Sequence, residues 1–504
     1  MTSSVTGRAA LAAAALGLLA SPALAQGYRA TIDLRAQRVA YRGWDLDSIA
    51  AADAVVGDGG GSFTPDGIAA SCTPGLPNCF YFRPGARQDA APMVLTTTAT
   101  AWGFGVKGLS AHGNFRLNYN LGDEVWPTTE PTFQLWEGYL DYNHDWFALR
   151  GGRQIVTSRL GWAGFDGGMG TLRARKHGFD VTGYLGIGLA RAAAVGINDP
   201  VTAPLNDFIP PERNLIAGAM AGYRSGPVDL KAEWQREVDR STDYLMSDRL
   251  AGSAVVRPVA RVALAGGVEY DLAQGLLGSA DASVRYIAPR FQVTTGFRRY
   301  MPRFDLWSIW PAFSPVPWNG ANASLVVSPL AWLQLRGRAE YFKYEFAGAE
   351  TPLVDTYDDG WRAGFGGTVT AVRNFTFDAG WNTERGNGAW IQGADASVTW
   401  APLPALLLRA FGAYAQRPLE YRYDASHAKW FGFDVDARAA DRFNVGFSLI
   451  QMSEERKRPD NAAFDWDQTR LTARISYSFS SRESERGRLP EAIRRMPSMQ
   501  GYQR

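Results

Sequence analysis

Cysteine is nearly absent: the chain has only Cys72 and Cys79. That excludes a disulfide-built scaffold and a metal centre ligated by several cysteines. The two lie in a Gly/Pro-rich stretch, residues 57–87. In an oxidising compartment so close a pair reads as one disulfide stapling a surface loop. Histidine is as scarce. His112, His144, His177 and His427 are far apart, with no carboxylate or cysteine at metal-ligand spacing. There is no Gly-Lys phosphate loop, no HExxH and no nucleophile elbow. Neither an enzyme nor a bound cofactor or metal is expected. The net charge is only +2, so no bulk electrostatic argument points to nucleic acid as a partner. No linker or compositional break divides the chain, and lysine stays in single figures beside abundant arginine.

Long apolar runs are also missing beyond the N-terminus. There, Arg8 precedes an unbroken apolar core, Ala9 to Ala20. Ser21 and Pro22 end it, and Ala23-Leu24-Ala25 has the small-x-small form of a signal-peptidase site. A spanning helix needs about 20 apolar residues, so residues 1–25 read as a cleaved signal peptide, with Gln26 opening the mature chain.

What the sequence has in quantity is alternation. Hydrophobic residues make up 46% and aromatics 12%, yet mean hydropathy is −0.20, as expected of strands with one greasy and one wet face. Leu471, Ala473, Ile475, Tyr477 and Phe479 share one parity, and Arg470, Thr472, Arg474, Ser476 and Ser478 the other. Asp229, Lys231, Glu233 and Gln235 oppose Val228, Leu230, Ala232 and Trp234. Gln334, Arg336, Arg338 and Glu340 oppose Leu333, Leu335, Ala339 and Tyr341. Such faces belong to β-strands, whose side chains alternate. A soluble sandwich also alternates, but over strands of about 5–6 residues. Many runs here last about 10, the length of a tilted membrane-crossing strand.

Tyr300, Trp332, Tyr341, Trp381, Trp400, Tyr414 and Tyr477 are candidates for interfacial girdles. Short connections such as 225–227 and 373–374 alternate with long ones such as 189–213, 301–317 and 454–465. Lipid offers no hydrogen bonds to an open sheet edge, so strands of this kind must close. The expected fold is all-β: a transmembrane antiparallel barrel of about 18–22 strands over residues 26–479, in the cell outer membrane, contacting its lipid and lipopolysaccharide. Residues 480–504 read as a basic periplasmic tail.

On the wet parity, and therefore expected to line a pore, are Arg116, Glu137, Arg150, Lys231, Glu233, Arg298, Arg336, Arg338, Glu340, Arg409, Arg470 and Arg474. Further acids join them, among them Asp281 and Asp378. Such charges set the field in a channel and can hold hydroxyl-rich solutes or anions. They can equally pair with one another and brace the wall. One long connection, Met301 to Trp318, is aromatic rather than polar: it either folds into the pore, meets a sugar or partner, or rests on the rim.

One stretch carries more than general barrel grammar. Leu135-Trp136-Glu137-Gly138-Tyr139-Leu140 is followed by Leu149-Arg150-Gly151-Gly152-Arg153-Gln154, then by Gly161-Trp162 and Phe165-Asp166-Gly167. Over these residues the chain resembles the alginate-export family of outer-membrane porins, with its acidic E-x-Y strand before a GRQ strand. The resemblance implies an export channel for a secreted exopolysaccharide, a periplasmic polysaccharide-export protein as partner, and Arg153 in the lumen. Strict alternation from Leu149 turns Arg153 toward lipid, and a bulge at Gly151-Gly152 would return it inward. Two other readings stay open: a nutrient-uptake porin for small sugars, organic acids or ions, and a structural or scaffold barrel.

Overall fold

The computed structural model describes residues 27–57, 61–122, 132–189, 213–240, 245–301, 317–345, 359–386, 389–416, 426–456 and 465–481. The export-signal segment, the chain beyond residue 481 and residues 302–316 of the aromatic connection lie outside these.

Twenty-two antiparallel strands close into one barrel. The first is β1 (Gly27–Ala50). Strand β2 is interrupted at Ala91 and runs Asn78–Ala90, then Pro92–Trp102. There follow β3 (Leu109–Asn120), β4 (Phe133–Asn143), β5 (Phe147–Ser158), β6 (Gly161–Ala174), β7 (Phe179–Gly188) and β8 (Leu215–Ser225). Next come β9 (Val228–Val238), β10 (Leu245–Val259), β11 (Val262–Asp271), β12 (Leu276–Ile287), β13 (Phe291–Tyr300), β14 (Trp318–Leu330) and β15 (Leu333–Tyr344). The wall is completed by β16 (Asp359–Val369), β17 (Phe375–Gly386), β18 (Ala389–Leu403), β19 (Leu406–Gln416), β20 (Ser426–Ala440), β21 (Phe443–Arg456) and β22 (Trp466–Ser480). Each strand pairs with its chain neighbours. Closure is made by β1 on β22, from Arg29 opposite Ser480 to Val39 opposite Arg470.

The strand number is even, so both ends of the barrel chain lie at one rim. At that rim the connections are short, Gly226-Pro227 among them, whereas the segments 51–77, 189–214 and 301–317 all leave the opposite rim. This is the asymmetry of an outer-membrane barrel, with short periplasmic turns and longer outer loops.

The side chains divide as the alternation requires. Leu140, Leu149, Leu185, Phe297, Phe365 and Phe431 stand exposed on the outer face. Water would penalise such a belt by roughly 25 cal/mol for each Å² left wet, and a bilayer removes that penalty. Among the described residues no helix is long and apolar enough to cross a membrane; the crossing is made by strands. The protein is an integral β-barrel of the outer membrane. Of the expected girdle, Trp332, Tyr341, Trp400, Tyr414 and Tyr477 are exposed. Tyr300 is a correction. It is one residue out of step with outward Phe297 and pairs with inward Trp318, ring centroids 5.8 Å apart.

Beyond Val39 and Ala90, β1 and β2 run on together as a two-stranded ribbon to Ala50 and Asn78. Cys72 and Cys79 are disulfide-bonded at its end, as expected from the sequence. This bond lies outside the closed wall. Cys72→Ser with Cys79→Ser is therefore expected to leave the barrel intact, with unheated protein still migrating faster on SDS gels than boiled protein. Loss of that mobility difference in the double variant would show that the bridge supports the barrel itself.

Strands spaced about 4.8 Å apart and tilted about 40° would, if 22 of them close in a circle, enclose a barrel roughly 44 Å across between backbones. So wide a lumen discriminates among small solutes only if something inside narrows it.

Candidate functional site: an inward hairpin and a charged wall

Something does. Strand β5 pairs with β4 only as far as Arg153, opposite Gly138. Strand β6 pairs with β7 only from Phe165, opposite Gly188. Between those points β5 and β6 continue to pair with each other, through to Ser158 opposite Gly161. The segment from Gln154 to Gly164 is thus a hairpin that has left the wall on both edges.

It leaves at four glycines. Gly151 lies opposite Gly168, and Gly152 opposite Gly167. Gly152 has φ +129°, which L side chains rarely adopt, and a Cβ there would lie 2.3 Å from the Gly138 carbonyl oxygen. At Gly167 a Cβ would lie 2.1 Å from the carbonyl oxygen of Leu185. Only glycine lets the bending strands pass so close to β4 and β7.

Past the bend, one face of the hairpin lies on the inside of the barrel. Val156, Ala163 and Phe165 pack with Tyr184 of β7 and Ile216 of β8, and Phe165 stacks on Tyr184 at 5.2 Å. The tip reaches further round, to the inward parity of β9–β12. The Arg159 backbone N–H donates to Glu233 Oε2 at 2.6 Å, and the Arg159 guanidinium pairs with Asp281. Arg249 Nη1 donates to the Leu160 carbonyl at 2.8 Å. Gly267 makes room: a Cβ there would sit 2.6 Å from Arg159 Nη1. Glu233, Arg249 and Leu160 are all buried, so the contacts they make are shielded from the water that weakens surface pairs, whereas Asp281 is half-exposed.

The bulge at Gly151-Gly152 that would turn Arg153 back into the lumen does not occur. Pairing of β5 with β6 and with β4 is unbroken there. Arg153 keeps the parity opposite to buried Gln154 and does not join the inward charged set. It stands where the hairpin departs, giving Nε and Nη2 to Asp166 at 2.7 and 2.9 Å and Nη1 to the Leu135 carbonyl of β4 at 3.0 Å. Arg213 reaches Asp166 from the other side at 2.6 Å and donates to the Gly188 carbonyl of β7 at 2.9 Å. This polar chain ties β4 to β7 across the place where two strands have left.

The other residues assigned to the wet face share its parity, and several are joined. Arg298 and Arg362, on β13 and β16, both pair with the buried carboxylate of Glu340 on β15. The Arg298 guanidinium lies 4.6 Å from the ring centroid of Trp318, the described end of the aromatic connection. Arg336 spans β16, over Gly366, to Asp378 on β17 at 2.6 and 2.7 Å. Arg150 pairs with Asp141 at 3.1 Å and lies over Tyr139, while Glu137 meets His112 at 3.6 Å. Arg474 donates to Asp33 at 2.6 Å, across the closing seam. Arg470 meets Gln468, Arg116 lies 5.8 Å from Trp136, and Arg409 lies 5.2 Å from Phe411. Lys231 is on the inner parity of β9. Arg338 lies beside Gly364 and has no ion-pair partner among the described residues.

Sequence reasoning missed Arg159, Leu160, Arg249 and Arg362. Arg159 and Leu160 are the two residues of a connection, outside any alternating run. The paired glycines at 151–152 and 167–168 were the available sign of a bend.

No protein-family model matches the chain, and no curated protein matches it. Solved structures with a similar course include Pseudomonas aeruginosa OccK3 (OpdO), at 10% identity and a TM-score of 0.39, covering 91% of this chain and 97% of that one. Acinetobacter baumannii OccAB4 aligns at 11% identity and a TM-score of 0.38, covering 91% and 99%. Pseudomonas aeruginosa OpdK with vanillate aligns at 12% and 0.37, covering 90% and 99%.

Proposed function

We propose that this barrel is a diffusion channel for small hydrophilic solutes, working as a nutrient-uptake porin. The observation that carries this reading is the hairpin Gln154–Gly164 docked on the inner wall. It stands in the path through the lumen and is fixed there by buried charged contacts. The inward-parity arginines and carboxylates, Arg153 excepted, are the proposed pore lining.

The exopolysaccharide conduit implied by the resemblance over residues 135–167 fits less well. Arg153 is occupied by Asp166 and the Leu135 carbonyl, and Arg298, Arg336 and Arg362 are matched by carboxylates. A long polyanion would need a continuous unpaired cationic track with weak, exchangeable contacts. The periplasmic export partner belongs to that reading. The scaffold reading has no specific contact in its favour.

Purified barrel in planar bilayers should give discrete single-channel steps. Arg338→Glu should move the zero-current potential in a salt gradient toward cation preference, because the Arg338 charge is unmatched among the described residues and that substitution changes the lumen by two charges. An unchanged potential would place Arg338 outside the conducting path. Deletion of the gene should slow growth on some small nutrients at low concentration and leave surface polysaccharide unaltered. Loss of surface polysaccharide with normal growth would decide for export.

A further inference from the structure

The docked hairpin has a second face. Gln154, Val156, Ala163 and Phe165 are turned to the wall, so Ile155, Thr157 and Trp162 are turned away from it, toward the remaining lumen. Trp162 is 59% exposed, and among the described residues no hydrogen-bond or ring partner engages it. The comparably exposed Trp146, in a short turn at the opposite rim, has rings of His144 and Phe147 against it. Near Trp162 on this face are Thr157, Ile155 and Gly164, and Leu189 lies against Gly164. Thr157 lies across the hairpin, and the next residue on its own face is Gly164. Gly161, at φ +106°, has nothing within 4 Å of a Cβ position. An indole is thus held on a two-stranded support, more than half exposed, across from a threonine. Lipid does not account for it, since the hairpin lies inside the barrel.

We propose that Trp162 is a stacking site in the constriction for solutes with a flat apolar ring face, either the C–H face of a pyranose or an aromatic ring. The proposal rests on the small-solute reading above and adds a substrate class to it. Thr157 can offer a hydrogen bond to a ring substituent. The indole contributes a polarisable surface that costs the solute little desolvation, and contact on one side leaves the solute free to move on.

The test uses the full-length barrel in detergent, with maltotriose and benzamide as ring probes and sorbitol as an acyclic control. Saturation-transfer NMR reads contact independently of conduction. Contact with either ring probe and none with sorbitol is expected for wild type, and the responding probe identifies which kind of ring is taken. Trp162→Ala should weaken the response about tenfold, the scale of one ring stacked on an aromatic side chain. Trp162→Phe should keep most of it. An equal response in wild type and Trp162→Ala, or none in wild type, overturns the assignment. Planar-bilayer conductance distinguishes the two failures. A barrel that conducts without ring contact retains the channel reading and loses the stacking site, whereas one that does not conduct loses the channel reading.

Discussion

Gly167→Val is expected to drive the hairpin out of the lumen and raise single-channel conductance about twofold or more, with a noisier open state. The Cβ position at Gly167 lies 2.1 Å from the Leu185 carbonyl oxygen and 2.5 Å from the Gly186 Cα. Both are backbone of the neighbouring strand, so no side-chain rotation relieves the clash. Forcing atoms into a packed site costs about 1–3 kcal/mol, and here the contact to be sacrificed is the bend. The closed wall does not depend on the hairpin, because β4–β5 and β6–β7 are paired below it. Heat-dependent gel mobility should therefore persist. A Gly167→Val barrel with native mobility and wild-type conductance would show that the hairpin does not limit the current.

Reversing the charge at the tip should act more selectively. In Arg159→Glu a carboxylate would face Asp281, close to Glu233 and Glu269, in place of the guanidinium that pairs with Asp281. Removing one partner of a buried pair costs about 3–5 kcal/mol. Asp281 is 45% exposed, and solvent screening lowers that figure to about 2 kcal/mol. A change of about 2 kcal/mol moves a docked–undocked equilibrium roughly 30-fold. Long-lived high-conductance substates should appear and grow more frequent. Adding Asp281→Arg to Arg159→Glu should restore the quiet wild-type trace, since the pair is re-formed with its polarity exchanged. High-conductance substates in the double variant equal to those in the single one would mean that this ion pair does not hold the tip.

The division between inner and outer faces was legible along the chain because a strand turns successive side chains to opposite sides. The run from Leu471 to Phe479 states its own register, and β22 adopts it. The same grammar placed Arg298, Arg336, Glu340 and Arg474 on one side. It could not say that Arg336 lies over Gly366 to reach Asp378, or that Glu340 takes two guanidiniums. Those pairings join strands up to two positions apart in the wall, and parity says nothing about distance along the strand axis. Tyr300 shows a related limit: an aromatic at a strand end reads as a girdle residue whichever face it occupies.

Alternation, strand length and the Cys72–Cys79 spacing by themselves determined a closed membrane barrel, with its charges on one parity, and a disulfide-stapled surface segment. These are local properties, set by how each side chain meets lipid or water and by loop closure over a few residues. The inward course of Gln154–Gly164, its seat on β9–β12 and the exposure of Trp162 were decided only in the tertiary structure. The sequence held the means, four glycines and an arginine. Whether a glycine pair becomes a bulge or a bend depends on what its neighbours allow, and here the backbones of β4 and β7 leave no room for a Cβ at Gly152 or Gly167. The slot at Gly267 and the carboxylates of Glu233 and Asp281, more than 70 residues away along the chain, then give the departing tip a place to bind.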